Sequence, residues 1–352
     1  MGISVYILFA CQYNVRETGF IDLGNNPYYL FVYINKHTEV DKAAELRETA
    51  SSVLKDSGIA VEIIDIDRQK DHSALRHLKA WQINSFPTAV LVSPDGQSLE
   101  IPVATDKQSL TQTLEPALER ITSSPLRDKI LEQVIKTYGV VLLIQGPDAE
   151  SNAKARRAVW DALESVKRQM KWMPKSIQHP PVLVVLKQES ISREEILLWS
   201  LGLDPGEINT PHAAVLYGRA RWIGPMMKGA QISKANLERI LYIIGEDCEC
   251  GIDTDWIQGT RLPVIWDSRA QSRVAQTLGF DVENPMIKLE MSLILSKGSS
   301  SYPGIPPEER RQDELIITKT TGLNPFLIVI ALGILIIASG LTIYIRSVQK
   351  KA

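Results

Sequence analysis

Hydrophobic positions change period in a regular order along the chain. Tyr28–Ile34 (YYLFVYI) is an unbroken run of aromatic and β-branched residues, as in a buried strand. Residues 39–55 then place Val40, Ala43, Ala44, Leu46, Ala50 and Val53 at helical spacing, and Gly58 supplies a stop. Residues 59–66 read as a second strand and residues 71–81 as a second helix. A third strand over 86–92 turns at 94–97 into a short strand ending at Val103, and a helix follows over 109–121. The order is β-α-β-α-β-β-α, and its helical crossovers predict a parallel sheet.

The same order returns further on. Residues 139–145 and 182–186 read as strands, 149–170 and 194–201 as helices, and 213–217 as a strand after Thr210-Pro211-His212. A turn at Gly218-Arg219 leads to a closing helix over 233–244, with Ser233 as its N-cap. Pro211 follows Pro87 by 124 residues, a period that means two domains and not a solenoid. After Gly251 the character changes: 255–266 holds two Trp, Gly259 and Pro263, a helix is expected over 268–277, and Asn284-Pro285 opens another that runs to 295. This reads as a helical appendage packed on the second module.

The stretch WQINSFPTAVLVSPDGQ, residues 81–97, together with the element order, resembles the thioredoxin-like fold. The resemblance covers about 95 residues of the first module and implies that Pro87 is a cis-proline. The expected fold class is α/β, two tandem thioredoxin-like modules followed by the appendage and one C-terminal transmembrane helix. Catalytic members carry C-x-x-C at the start of the first helix, where the helix N-terminus lowers the thiol pKa. Here that place reads Asn35-Lys36-His37-Thr38-Glu39-Val40 in one module and Gly146-Pro147-Asp148-Ala149-Glu150-Ser151 in the other, with no cysteine in either. The family's thiol exchange is therefore not expected at the family's site, and no catalytic residue is assigned there. What the resemblance leaves is the groove beside the proline, where an extended segment can be held by backbone pairing. Ser85, Phe86 and Pro87 would line it in the first module, and Asn209, Thr210 and Pro211 in the second; the plainer reading is that the prolines only shape the fold.

Composition changes this picture in one place. The 352 residues are 44% hydrophobic and 23% charged with a net charge of −2, which excludes a disordered or collagen-like chain and gives no basic excess for nucleic acid. The mean hydropathy of −0.05 hides residues 326–345 (FLIVIALGILIIASGLTIYI), 20 residues without a charge. At about 1.5 Å per residue that length crosses a ~30 Å hydrocarbon core, so a single membrane anchor is expected. Residues 296–325, rich in Ser, Pro, Gly and charge, read as a disordered stalk, and 346–352 as a short basic tail. The divisions are thus 1–22, 23–124, 125–251, 252–295, 296–325, 326–345 and 346–352, the first a signal or lead-in.

Orientation turns on the N-terminus. Arg346, Lys350 and Lys351 follow the anchor, against Arg311 and Lys319 in the residues before it, a slight bias toward a cytoplasmic tail. Residues 3–10 (ISVYILFA) followed by Cys11 resemble the end of a bacterial lipoprotein signal: Leu8 and Ala10 match the lipobox, Phe9 is bulkier than it prefers, and no Lys or Arg precedes. Cys11 is thus a lipidation candidate, which places the modules outside the cytoplasm of a bacterial-type envelope. Read instead as a buried first strand, the same run leaves a tail-anchored protein in the cytosol.

Cys248 and Cys250, in the sequence DCECG, are the remaining thiols. Such a pair closes a small reducible disulfide, stays as buried thiols, performs redox work, or holds a soft metal such as Cu(I). Asp247, Glu249 and the preceding helix C-terminus all raise a thiol pKa, against a fast nucleophile. The histidines, His37, His72, His77, His179 and His212, show no metal-site spacing, and no metal or cofactor is expected. The basic run Lys154, Arg156, Arg157, Lys167, Arg168 and Lys171 faces either solvent or anionic headgroups. Partners are expected to be the membrane and a protein. The rivals are an envelope thiol–disulfide oxidoreductase using Cys248 and Cys250, and a structural subunit whose anchor packs through Gly333 and Gly340.

Overall fold

A computed structural model describes residues 12–24, 27–103, 110–173, 175, 177–247 and 259–297, all within one structural unit. Cys11, Cys248, Cys250, the stalk beyond 297, the apolar run 326–345 and the basic tail lie outside the described residues. Among the described residues, no helix is long and apolar enough to cross a membrane.

The chain opens with a short helix, α1 (Val15–Thr18), set by a capping box: Asn14 Oδ1 accepts from the Glu17 N–H at 2.8 Å, and Glu17 Oε2 accepts from the Asn14 N–H at 2.8 Å. The first module follows as β1 (Tyr28–Ile34), α2 (Val40–Val53), β2 (Ile59–Asp65), α3 (Leu75–Ala80), β3 (Thr88–Val92), β4 (Ser98–Ile101) and α4 (Leu110–Thr122). Its sheet has the order β2-β1-β3-β4, with β1 parallel to β2 and antiparallel to β3, and β3 antiparallel to β4. Alternation along β1 divides the two faces. Leu30 and Val32 point to Leu46 and Ala50 of α2 and to Leu114 and Leu118 of α4; Phe31 and Tyr33 point to Ala74 and Leu75 at the start of α3.

The second module repeats this plan: α5 (Pro125–Lys136), β5 (Val140–Ile144), α6 (Ala149–Gln169), β6 (Val182–Leu186), α7 (Glu195–Ser200), β7 (His212–Tyr217), β8 (Arg221–Lys228) and α8 (Lys234–Gly245). Its sheet order is β6-β5-β7-β8, with the same pattern of strand directions. Val141 and Leu143 face α6 and α8, while Val140, Leu142 and Ile144 face α5 and α7. The sheets are mixed and not parallel as the crossovers predict, because the third strand of each module enters antiparallel to the first; two such sheets of the same order, each with helices on both faces, are the thioredoxin-like topology.

Helix α1 was not expected from the sequence, nor were two further elements. Strand β8 (RWIGPMMK) contains Gly224 and Pro225, which interrupt the strand pattern; the ladder absorbs them by a register shift between Ala213 and Val215 on β7. Helix α5 occupies what reads only as a module boundary. Its start is nevertheless signalled, since Ser124 Oγ accepts from the Arg127 N–H at 3.1 Å and Pro125 takes the first turn.

The appendage comprises α9 (Ser268–Leu278) and α10 (Pro285–Lys297). It does not sit on the second module alone. Buried Tyr13, Phe20 and Ile21 from the N-terminal segment share a core with Trp266, Val274 and Met291. Residues 259–266 run extended between the modules: the Leu262 N–H donates to the Ala220 carbonyl at 3.0 Å, the Trp266 N–H to Asp56 O at 2.6 Å, and Tyr28 Oη to Arg261 O at 2.7 Å. Buried Arg127 ties the same region together by donating to the carbonyls of Arg120, Ile121, Ser123 and Pro263. Burial holds its pKa down at about 10, above neutral pH, so it carries its charge among those carbonyls.

Candidate functional site

The site is built where β1 and β3 end together. The antiparallel pairing of Tyr33 with Thr88 brings the loop after Ile34 alongside the residues before Thr88. The Phe86–Pro87 bond there is cis, and among the described residues it is the one such bond. Ser85 is exposed, Phe86 and Pro87 are half-buried, and Thr88 is buried, so the backbone on the N-terminal side of the proline is accessible. The approach from α3 is shaped by Gln82, which adopts a left-handed φ of 53°, and by exposed Trp81, whose Nε1–H donates to Ser98 Oγ at 3.0 Å.

The loop facing this segment consumes its own donors. The His37 N–H donates to Asn35 Oδ1 at 3.1 Å, the Thr38 N–H to the Asn35 carbonyl at 2.9 Å, and the Lys36 N–H to Asp67 Oδ2 at 2.7 Å. Residues 35–39 hold no thiol. The place where the fold ordinarily puts its reactive sulfur is a turn held by Asn35 and by Asp67 of the loop after β2.

The second module treats the corresponding place differently. Thr210–Pro211 is not cis, and Pro211 is buried while Asn209 and Thr210 are exposed. Gly146, at the end of β5, lies directly on this peptide: a Cβ there would come within 2.7 Å of the Thr210 carbonyl carbon. Asn152 of α6 clamps Gly146 from both sides, Oδ1 accepting from its N–H at 2.9 Å and Nδ2 donating to its carbonyl at 2.8 Å. Beneath them His212 is buried, with Nδ1 and the Thr210 carbonyl 2.8 Å apart. A carbonyl only accepts, so Nδ1 carries the proton. Burial, helped by Lys228, holds the His212 pKa below its usual value despite that hydrogen bond.

The six residues expected to line binding grooves therefore fall in two unlike places. Ser85, Phe86 and Pro87 flank a half-buried cis-proline; Asn209 and Thr210 are exposed, and Gly146 packs against the Thr210–Pro211 peptide. Neither Gly146 as a plug nor Asn152 as its clamp was singled out from the sequence, because the contact joins residues 64 apart that only the folded sheet brings together. A groove of about 420 Å³ is lined by Ile34 and Ile63 of β1 and β2 and by Val40, Ala43, Ala44 and Arg47 of α2. His77 is buried against Phe31, with ring centroids 6.1 Å apart, and His72 Nε2 lies 3.1 Å from Glu62 Oε1. Among the described residues, no three His, Cys, Asp or Glu side chains are grouped to hold a metal ion.

No family model and no curated protein matches the chain. Among solved structures it is similar to the first two thioredoxin domains of Saccharomyces cerevisiae Eps1p, at 10% identity over 62% of this chain and 92% of that one, with a TM-score of 0.23. It is also similar to human ERp44 in its zinc-bound form, at 13% identity over 65% of this chain and 55% of that one, with a TM-score of 0.24. For ERdj5 form II the figures are 8%, 62%, 27% and 0.23. The chain thus spans about half of ERp44 and about a quarter of ERdj5. The class assigned here, a protein of two thioredoxin-like modules, rests on strand order and direction and not on these likenesses.

Proposed function

We propose that this is a membrane-anchored, non-catalytic binding or scaffold protein of a cell envelope, in which the first module holds an extended segment of a protein partner. One observation carries the reading: beside the accessible Ser85–Phe86–Pro87 segment, the loop at the head of α2 has no thiol, and the N–H groups of Lys36, His37 and Thr38 are already taken by Asp67 and Asn35. A segment laid against that backbone gains main-chain hydrogen bonds and undergoes no chemistry. The filled second groove supports a division of labour, one module binding and the other structural. The uncharged run 326–345 supports the anchor, and the lipobox-like residues before Cys11 support the envelope.

A photo-crosslinking residue at position 85 of the full chain, in its native membranes, tests the reading. A protein adduct is expected from position 85 and none from position 210. No adduct at 85, or equal adducts at both, overturns it.

A further inference from the structure

Both ends of the described chain leave the molecule at the same place. Tyr13 joins them: its hydroxyl donates to Glu290 Oε2 of α10 at 2.9 Å, and the Lys175 ammonium lies over its ring, 5.5 Å from the centroid. Lys175 also donates to the Gln12 carbonyl and pairs with Glu17 Oε2 at 2.9 Å, which fixes the loop after α6 to the N-terminal segment. Leu295 of α10 packs on the core that holds Met170 and Met173 from that same loop.

Around this place the surface is unusually apolar. Trp172 is 79% exposed, Met286 70%, Leu289 55% and Leu293 54%. Met286, Leu289 and Leu293 stand at i, i+3 and i+7, one stripe of α10, while Met291 on its other side is buried in the appendage core. A helix apolar on both sides is ordinarily covered on both. Lys171 lies over the Trp172 ring with its nitrogen 4.9 Å from the centroid. An exposed Trp with a cation on it, and an exposed apolar helical stripe, are each features found at the boundary between headgroups and acyl chains.

The sequence on either side identifies what covers this face. The apolar run 3–10 ends two residues before Gln12, and 28 residues separate Lys297 from the uncharged run at Phe326. We infer that α10 and the Trp172 loop form a bilayer-resting surface: Met286, Leu289, Leu293 and Trp172 enter the acyl boundary of the leaflet, and Lys171 meets anionic headgroups. This rests on the anchored reading above and adds an orientation to it. The Pro87 segment belongs to the first module, whereas the lipid-facing residues belong to the appendage and to the 170–172 turn after α6.

The full chain is reconstituted into vesicles of three parts phosphatidylcholine to one part phosphatidylglycerol, with a photo-crosslinking residue at position 289, 172 or, as control, exposed Arg68. Lipid adducts are expected from 289 and 172 at roughly tenfold the yield from 68, since side chains at the acyl boundary meet lipid that outward-facing ones rarely meet. Carbonate extraction of the same vesicles reads the anchor separately. A chain that resists extraction but gives no lipid adduct at 289 overturns the surface and leaves the anchor. A chain that is extracted yet gives the adducts overturns the anchor and leaves the surface; extraction without adducts overturns both. A covalent dimer through position 289 in place of lipid adducts shows that a second copy covers the stripe, and also overturns the proposal.

Discussion

Gly146 and Thr210 meet backbone to side-chain-less backbone: a Cβ on Gly146 would stand 2.7 Å from the Thr210 carbonyl carbon and 2.9 Å from its Cα. The obstructing atoms are main chain, so they cannot swing aside as a flexible side chain does. This contact packs Gly146 against the Thr210–Pro211 peptide of the second module.

Gly146→Val is therefore expected to destabilise the protein by about 1–3 kcal/mol, the range for overpacking a well-filled site. Asn152→Ala should cost a similar ~1–3 kcal/mol, because it strips the Gly146 N–H and carbonyl of their partners. Urea unfolding of the full chain checks both. If Gly146→Val leaves stability unchanged and lets position 210 crosslink to a partner, the second groove opens at little cost and the division of labour between modules is wrong.

Arg127 is the clearest point at which the two modules and the 259–266 segment share one side chain. Arg127→Met leaves the carbonyls of Ile121 and Pro263 without this donor, an expected loss of several kcal/mol, on the order of 3–5 as for other broken buried charge contacts. Limited proteolysis should then cut between the modules or within 259–266 before either sheet is lost. Cleavage unchanged from the wild type would count against Arg127 as the tie.

Acid should weaken the region around Asp22 and Glu283. Burial pushes the Asp22 carboxyl up, but Arg261, Arg219 and the Gly24 N–H outweigh it and hold its pKa below 3.8. For Glu283 burial again opposes, while Lys288, the Trp266 indole and Arg219 hold it below 4.5. Both groups take up protons more readily unfolded than folded. Their contribution is complete at neutral pH and is lost as pH falls through those ordinary values toward the depressed ones. The double variant Asp22→Asn, Glu283→Gln should be less stable at pH 7 and show a flatter decline from pH 5 to pH 3. Parallel declines in variant and wild type would refute the assignment.

The Cys248 thiol follows an acidic stretch at the end of α8, where burial and Asp247 hold the Glu246 carboxyl above its usual value. Negative charge and a helix C-terminus both disfavour a thiolate. Alkylation of Cys248 and Cys250 at pH 7 is expected to be no faster than that of an unperturbed thiol peptide, before and after mild reduction. Fast labelling that appears only after reduction would instead favour the oxidoreductase alternative.

Much of the fold is legible along the chain because strands and helices announce themselves locally. Helix α8 begins one residue after Ser233, whose Oγ accepts from the Asn236 N–H at 3.3 Å, as N-cap chemistry requires. Strand β8 escaped because Gly224-Pro225 breaks the local pattern, and only the ladder with β7 makes it a strand. The N-terminal segment gave no hint of its burial: Phe20 and Ile21 are a short apolar pair, and their core partners lie far along the chain, at Ile135 and from Trp266 to Met291.

The candidate site divides the same way. From residue identity alone, two modules without a thiol at the helix head follow, as do the proline positions and the uncharged run at 326–345. Tertiary structure alone decides that one proline segment is open and the other filled, that residues 259–266 tie the modules, and that both ends of the described chain meet at Tyr13. Local propensity and periodicity act over a few residues, so they are written in the chain itself. Which surfaces lose their water depends on contacts between distant segments, and those exist only once the two sheets have formed.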